Sequence, residues 1–132
     1  MNAPSPVHHC NAPAEVVWQR VLSMLETLGA TVFCTVDHAA NASKAGMELP
    51  FCRVAIFGKA EVGTPLMQTA PDIALDLPLR CMVREDAGRT VFIHLSPERL
   101  AKEYGIPDDH PSLRMMQGAL RKLTAAAQGH TA

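Results

Sequence analysis

Residues 79–95 read LRCMVREDAGRTVFIHL, two apolar, strand-like runs interrupted by Asp86-Ala87-Gly88. Leu79 to Glu85 and Arg89 to Leu95 have the composition of β-strands, and a short loop with glycine at a left-handed position joins such strands into a hairpin. Alternation then puts Thr90, Phe92 and His94 on one face of the second strand and Val91, Ile93 and Leu95 on the other. The segments on either side supply further strands and the helices that cover them.

Upstream, Asn11 can cap a helix opening at Ala12-Pro13, and Gly29 can end it. Val17, Val21, Leu25 and Leu28 form its buried stripe, opposite Glu15, Gln19 and Glu26. Thr31 to Val36 reads as a strand running into Asp37, the N-cap of an alanine-rich helix from His38 to Lys44 that stops at Gly46. Arg53 to Phe57 has strand character and ends at Gly58. Between Gly58 and Pro78, Gly63, Pro65 and Pro71 punctuate the chain, so short helical turns in an ordered loop are expected, with Thr64-Pro65 as a cap and first helical residue. Downstream, Ser96-Pro97 opens a short helix to about Tyr104, and Pro111 opens one whose Leu113, Met116, Leu120 and Leu123 recur at helical spacing.

A chain of 132 residues, 48% hydrophobic and 19% charged, suits one domain with its own core. Its expected limits are 7–127, between a flexible 1–6 and a C-terminus that frays over 128–132. A net charge of −1, without a basic stripe, argues against nucleic acid as a partner. No stretch approaches the roughly 18 apolar residues of a membrane span, and the start lacks a leader pattern, so no membrane association and a cytoplasmic location are expected. Cys10, Cys34, Cys52 and Cys81 form no Cys-x-x-Cys pair and read as reduced thiols, the last three inside apolar runs as small hydrophobes.

Three separated blocks carry a resemblance: DHAANASKAGMELP (Asp37 to Pro50), VAIFGKAEVGTPLMQTAP (Val54 to Pro71) and LDLPLRCMVRED (Leu75 to Asp86). In order and spacing they resemble the signature of the domain of unknown function 302 family, over roughly residues 7 to 107. The resemblance implies a compact α+β fold of TATA-binding-protein-like β-α-β4-α arrangement, with a mixed or mostly antiparallel sheet, helices largely on one face, and a homodimer. It implies no reaction. Two departures bear on any ligand: Lys59-Ala60 stands where the family usually has Asn-Pro after Ile56-Phe57-Gly58, and His94-Leu95-Ser96 where it often has an aromatic with asparagine.

The candidate ligand site lies between the helix after Asp37 and the Gly58–Met67 loop, and comprises Asp37, His38, Asn41, Lys44, Gly58, Lys59, Gly63, Thr64, Met67 and His94. Backbone amides near Gly63-Thr64 and the Lys59 cation suit an anionic or amphipathic ligand, although a tight turn and a proline-started helix account for the same residues. Asp37-His38 can share a proton in acid-base catalysis, or Asp37 can simply cap a helix. The catalytic alternative requires His38 and His94 to converge on one pocket. His8-His9-Cys10 does not have the spacing of a metal site, so no metal is expected, and no pattern names a cofactor. Asp76, inside Leu75 to Pro78, suits a turn or a dimer contact, and Trp18 and Tyr104 suit packing. A third reading is a dimeric interaction protein with an apolar patch of Leu66, Met67, Leu75 and Leu77.

Overall fold

The computed structural model describes residues 5–130; the remainder of the expected flexible and frayed ends lies outside the described residues. The elements are β1 (Val7–Cys10), α1 (Ala14–Thr27), β2 (Thr31–Asp37), α2 (His38–Lys44), β3 (Cys52–Gly58), α3 (Ala60–Thr69), a 3-10 helix (Pro71–Asp76), β4 (Leu79–Asp86), β5 (Arg89–His94), α4 (Pro97–Tyr104) and α5 (Pro111–Ala127). The five strands form one antiparallel sheet in the order β1-β5-β4-β3-β2. This is the expected α+β arrangement.

Period two decides which side of the sheet is covered. Along β4, Leu79, Cys81 and Val83 are buried while Arg80 and Met82 between them are more open. Ala55 and Phe57 on β3 stand opposite Cys81 and Leu79, and Phe92 on β5 stands opposite Val83, so all six side chains share one face. On that face lie α1, through Val17, Trp18, Val21 and Leu25, and α5, through Leu113, Met116, Leu120 and Leu123, every one of them buried. The two helical stripes read from spacing are the two that form the core.

Local details depart from the sequence reading in two places, the cap of α1 and the Gly58–Pro78 segment. Asn11 does not cap α1; Pro13 is the N-cap and no side chain bonds the first turn. The short strand β1, which the β-α-β4-α resemblance implies although no residue pattern was read for it, pairs with β5. The Gly58–Pro78 segment is more ordered than short turns: α3 is one ten-residue helix that runs through Thr64-Pro65, because proline's missing N–H removes one hydrogen bond without stopping the packed helix. Helix α5 runs unbroken from Pro111 to Ala127. The hairpin forms as expected around Gly88 (φ 80), although Ala87 (φ 50) also takes a positive φ and Asp86 pairs with Arg89, leaving a two-residue loop.

Candidate functional site

Strand β3 ends at Gly58, Lys59 stays extended as the N-cap of α3, and the helix then turns back across the end of the sheet. Two apolar clefts open on either side of this junction, sharing Gly58, Lys59, Val62, Leu79 and Met116. One, of about 280 Å³, reaches Leu25 and Leu28 at the end of α1 and Met115 and Lys122 on α5. The other, of about 300 Å³, runs between α3 and Phe33, with Gly63, Thr64, Met67 and Leu77 in its wall. Each has the dimensions of a small-molecule site.

The charge of these clefts is one-sided. Lys59 and Lys122 are the charged residues among their walls, and no carboxylate lines either. The Lys59 side chain lies over Gly29, where an added β-carbon would sit 3.7 Å from Nζ, so the amine approaches the C-terminal end of α1 and its partial negative charge. Among the described residues Lys59 has no salt-bridge partner. Gly63 leaves room: a β-carbon there would meet Met67 Cε at 3.7 Å and Leu77 Cδ1 at 3.8 Å, ordinary contact distances.

Five of the ten candidate residues, Gly58, Lys59, Gly63, Thr64 and Met67, therefore come together. Asp37, His38, Asn41 and Lys44 line neither cleft. Asp37 Oδ1 accepts from the Ala40 amide at 2.9 Å, capping α2, and Oδ2 accepts from Arg53 Nε at 3.2 Å. The Ala40 amide, with Arg53 beside it, holds the Asp37 carboxyl below the usual carboxylate range. Arg53 also reaches Glu15 at 3.0 Å and lies over the Phe51 ring, which ties α1, β2 and β3 together. His38, Asn41 and Lys44 are exposed on α2.

His94 lies at the far side of the sheet. Asp37 pairs with Arg53, Arg53 with Val83 and Val83 with Phe92, so three strand spacings, about 14 Å, separate the row of Asp37 from β5. The His94 ring instead stacks on His8, with Nε2 atoms 3.2 Å apart, in a separate hollow beside Glu98, Gln117 and Arg121. His94 Nδ1 lies 2.8 Å from the Leu95 carbonyl and so carries the proton; His8 Nε2 then donates to His94 Nε2 when both rings are neutral. Burial, with His94 nearby, lowers the His8 pKa. His38 and His94 share no cleft, which removes the convergence the catalytic alternative needs.

Among the described residues no group of three or more His, Cys, Asp or Glu side chains is gathered to hold a metal ion, and no helix is long and apolar enough to cross a membrane. Cys10 and Cys81 are buried, but Cys34 is exposed on the edge strand, against the expectation of a small buried hydrophobe. The patch proposed from Leu66, Met67, Leu75 and Leu77 is broken, because Leu66 points into the core while Leu75 is 87% exposed. Lys122 and Phe33 escaped the sequence reading. A signal for Lys122 was there: Met115, Gly118, Ala119 and Lys122 follow i, i+3, i+4, i+7 on α5, a face of small and apolar residues beside the core stripe.

Residues 7–127 match the family described as "Domain of unknown function DUF302", and the chain belongs to that family. Its fold is similar to that of an uncharacterized conserved DUF302 protein from Bacillus stearothermophilus, with TM-score 0.74 and 13% identity over 95% of each chain. It is also similar to two Brucella proteins named "Fluoride-specific ion channel FluC 1", from Brucella suis and Brucella abortus, at 38% identity over 89 residues. That match takes in 67% of this chain but 35% and 33% of theirs, so the chain spans about a third of the curated relatives it matches.

Proposed function

We propose that this protein is a small-ligand-binding or regulatory module whose ligand is an amphipathic anion, held in the paired clefts between α3, β3 and α5. The observation that carries the reading is the combination of apolar walls with Lys59 and Lys122 and no carboxylate. An apolar body gains by leaving water at roughly 25 cal/mol per Å² buried, and a single anionic head finds an ammonium group at the rim. Within the site, Gly58, Lys59, Gly63, Thr64 and Met67 do the holding, while Asp37 fixes the start of α2 and the Arg53 cluster. The Asp37/His38 enzyme reading has less support, because the Asp37 carboxylate is engaged by Ala40 and Arg53 and His38 is exposed. The regulatory half of the proposal is supported by relatives in which a matching segment is part of a protein named a fluoride channel. A bare fluoride ion suits these apolar walls poorly; an organic anion suits them well. The proposal extends to a cytoplasmic homodimer.

The test uses two fluorescent probes of similar bulk, anionic 1-anilinonaphthalene-8-sulfonate and uncharged N-phenyl-1-naphthylamine. Gly63→Leu fills the cleft and weakens both at least tenfold. Lys59→Met weakens the anionic probe several-fold and spares the neutral one, and Asp37→Asn spares both. Equal binding of the anionic probe by the parent, Gly63→Leu and Lys59→Met proteins defeats the proposed site.

A further inference from the structure

Strand β1 is an edge strand of four residues, paired with β5 alone, and its His8 stands opposite Phe92. Two residues further along β5, His94 is the diagonal neighbour of His8 on the same face, within reach of a large side chain. The two rings meet tip to tip, with Nε2 atoms 3.2 Å apart and centroids 5.2 Å apart. Two imidazoles on one tetrahedral ion, with bonds of about 2.0–2.1 Å, hold their nitrogens about 3.3 Å apart and their centroids about 5 Å apart. A square-planar ion would bring the nitrogens to about 2.9 Å. The spacing is that of the tetrahedral case.

The placing of protons agrees. His94 Nδ1 donates to the Leu95 carbonyl at 2.8 Å, the usual way in which a ligating histidine is oriented, and this leaves a lone pair on Nε2. Among the described residues His8 Nδ1 has no hydrogen-bond partner. His8 can therefore move its proton from Nε2 to Nδ1 and offer the second lone pair, with both rings neutral and no proton released. Glu98, Arg121 and His130 line the same hollow, but they are not gathered with the pair into a set of three ligands. The Glu98 carboxylate accepts from Ser96 and Gln117, and its charge offsets that of Arg121.

We infer that the paired Nε2 atoms of His8 and His94 bind a divalent transition-metal ion of the zinc type, which bridges β1 and β5. Imidazole nitrogens suit zinc and its neighbours and suit calcium and magnesium poorly, since those ions take oxygen ligands. With two protein ligands in place of the four of a structural zinc site, water fills the other positions and the ion exchanges with solution. Its effect is a cross-link over the one strand pairing that β1 makes. An ion that binds the joined histidines better than the separated ones stabilises the docked strand by mass action. The two ligands lie 86 residues apart and meet only through the register of β1 on β5, so the spacing within His8-His9-Cys10 could not show them. The hollow shares no lining residue with either α3 cleft, so this site is separate from the one proposed above.

The test uses zinc chloride and the full chain, stripped of metal, at pH 7.5. Long-range proton–nitrogen correlation spectra of the imidazoles are expected to show the Nε2 signals of His8 and His94 moving together as zinc reaches one equivalent. By calorimetry, His8→Gln and His94→Gln each weaken the tightest zinc site at least tenfold, and the double variant weakens it little further, as two ligands of one ion require. His38→Gln, on the exposed face of α2, leaves it unchanged. Zinc also slows amide exchange in β1 at least threefold in the parent and not in His94→Gln, and magnesium does neither. Nε2 signals unmoved by excess zinc, or a tightest site that survives both glutamine substitutions, overturn the proposal and leave the pair a plain hydrogen bond. Zinc bound at the pair with unchanged β1 exchange overturns the cross-link.

Discussion

Tyr104 donates its hydroxyl to Asp76, and this bond, with partial burial, pushes the phenol up to about 12. Because the folded value lies above that of a free tyrosine, about 10, the contribution to stability is complete below pH 10 and is lost as pH rises through about 12. Tyr104 is the chain's only tyrosine, so ultraviolet absorbance titrates it alone. Asp76→Asn is expected to bring the midpoint back toward 10, and an unchanged midpoint would refute the pairing. The role of Asp76 was half-legible: its place before Leu77-Pro78 suggested a turn or a contact, and the contact proves to be within the chain, to a helix 28 residues away. Asp37 was more legible, because a cap bonds an amide three residues on and that distance is written in the sequence. Its second partner, Arg53, was not, since only the register of β2 on β3 brings them together.

Strand β1 carries a pH-sensitive contact. Its His8 packs on Phe92 and His94 in a hollow that also receives Glu98 and Arg121, with His130 at its edge, and burial together with His94 disfavours the charged His8 ring. The unfolded chain therefore binds a proton more readily than the folded one, and stability attached to β1 is present above about pH 6.5 and declines as pH falls below it. Hydrogen exchange, corrected for intrinsic rates, is expected to show β1 amides losing protection between pH 7.5 and 5.5 while β3 and β4 keep theirs, and His8→Phe removes the difference. Equal loss in all strands would contradict a local origin. Four residues with two histidines gave little strand signal of their own; a first strand was implied only by the β-α-β4-α resemblance, and its pairing with β5 came from the fold. Helix α3 was misjudged for a related reason: Gly63 and Pro65 depress local propensity, but Leu66 is buried against the core and tertiary packing overrides them. The α1 and α5 stripes needed no such help, because their spacing alone placed them.

For the molecule as a whole, α5 holds the helical layer to the sheet and walls the first cleft, so truncating its core should be felt globally. Leu123→Ala, at a fully buried position, is expected to cost about 2–5 kcal/mol, read as a lower denaturant midpoint from the emission of Trp18, the chain's only tryptophan. A cost under about 0.5 kcal/mol would show that α5 is not part of the cooperative core. The layout of the sheet and its covering helices was largely readable from periodicity and the hairpin, whereas the candidate site was only half readable: the residues from Gly58 to Met67 are contiguous in sequence, but Phe33, Met116 and Lys122 join them through the fold. The pairing of β1 with β5 carries one more consequence, for a chain being made on the ribosome. Val7 must wait for Ile93, so the sheet cannot close until more than eighty further residues have been synthesised. Until then a nascent chain has no β5, and the apolar faces of β3 and β4 depend on whatever shelter the exit tunnel or a chaperone provides.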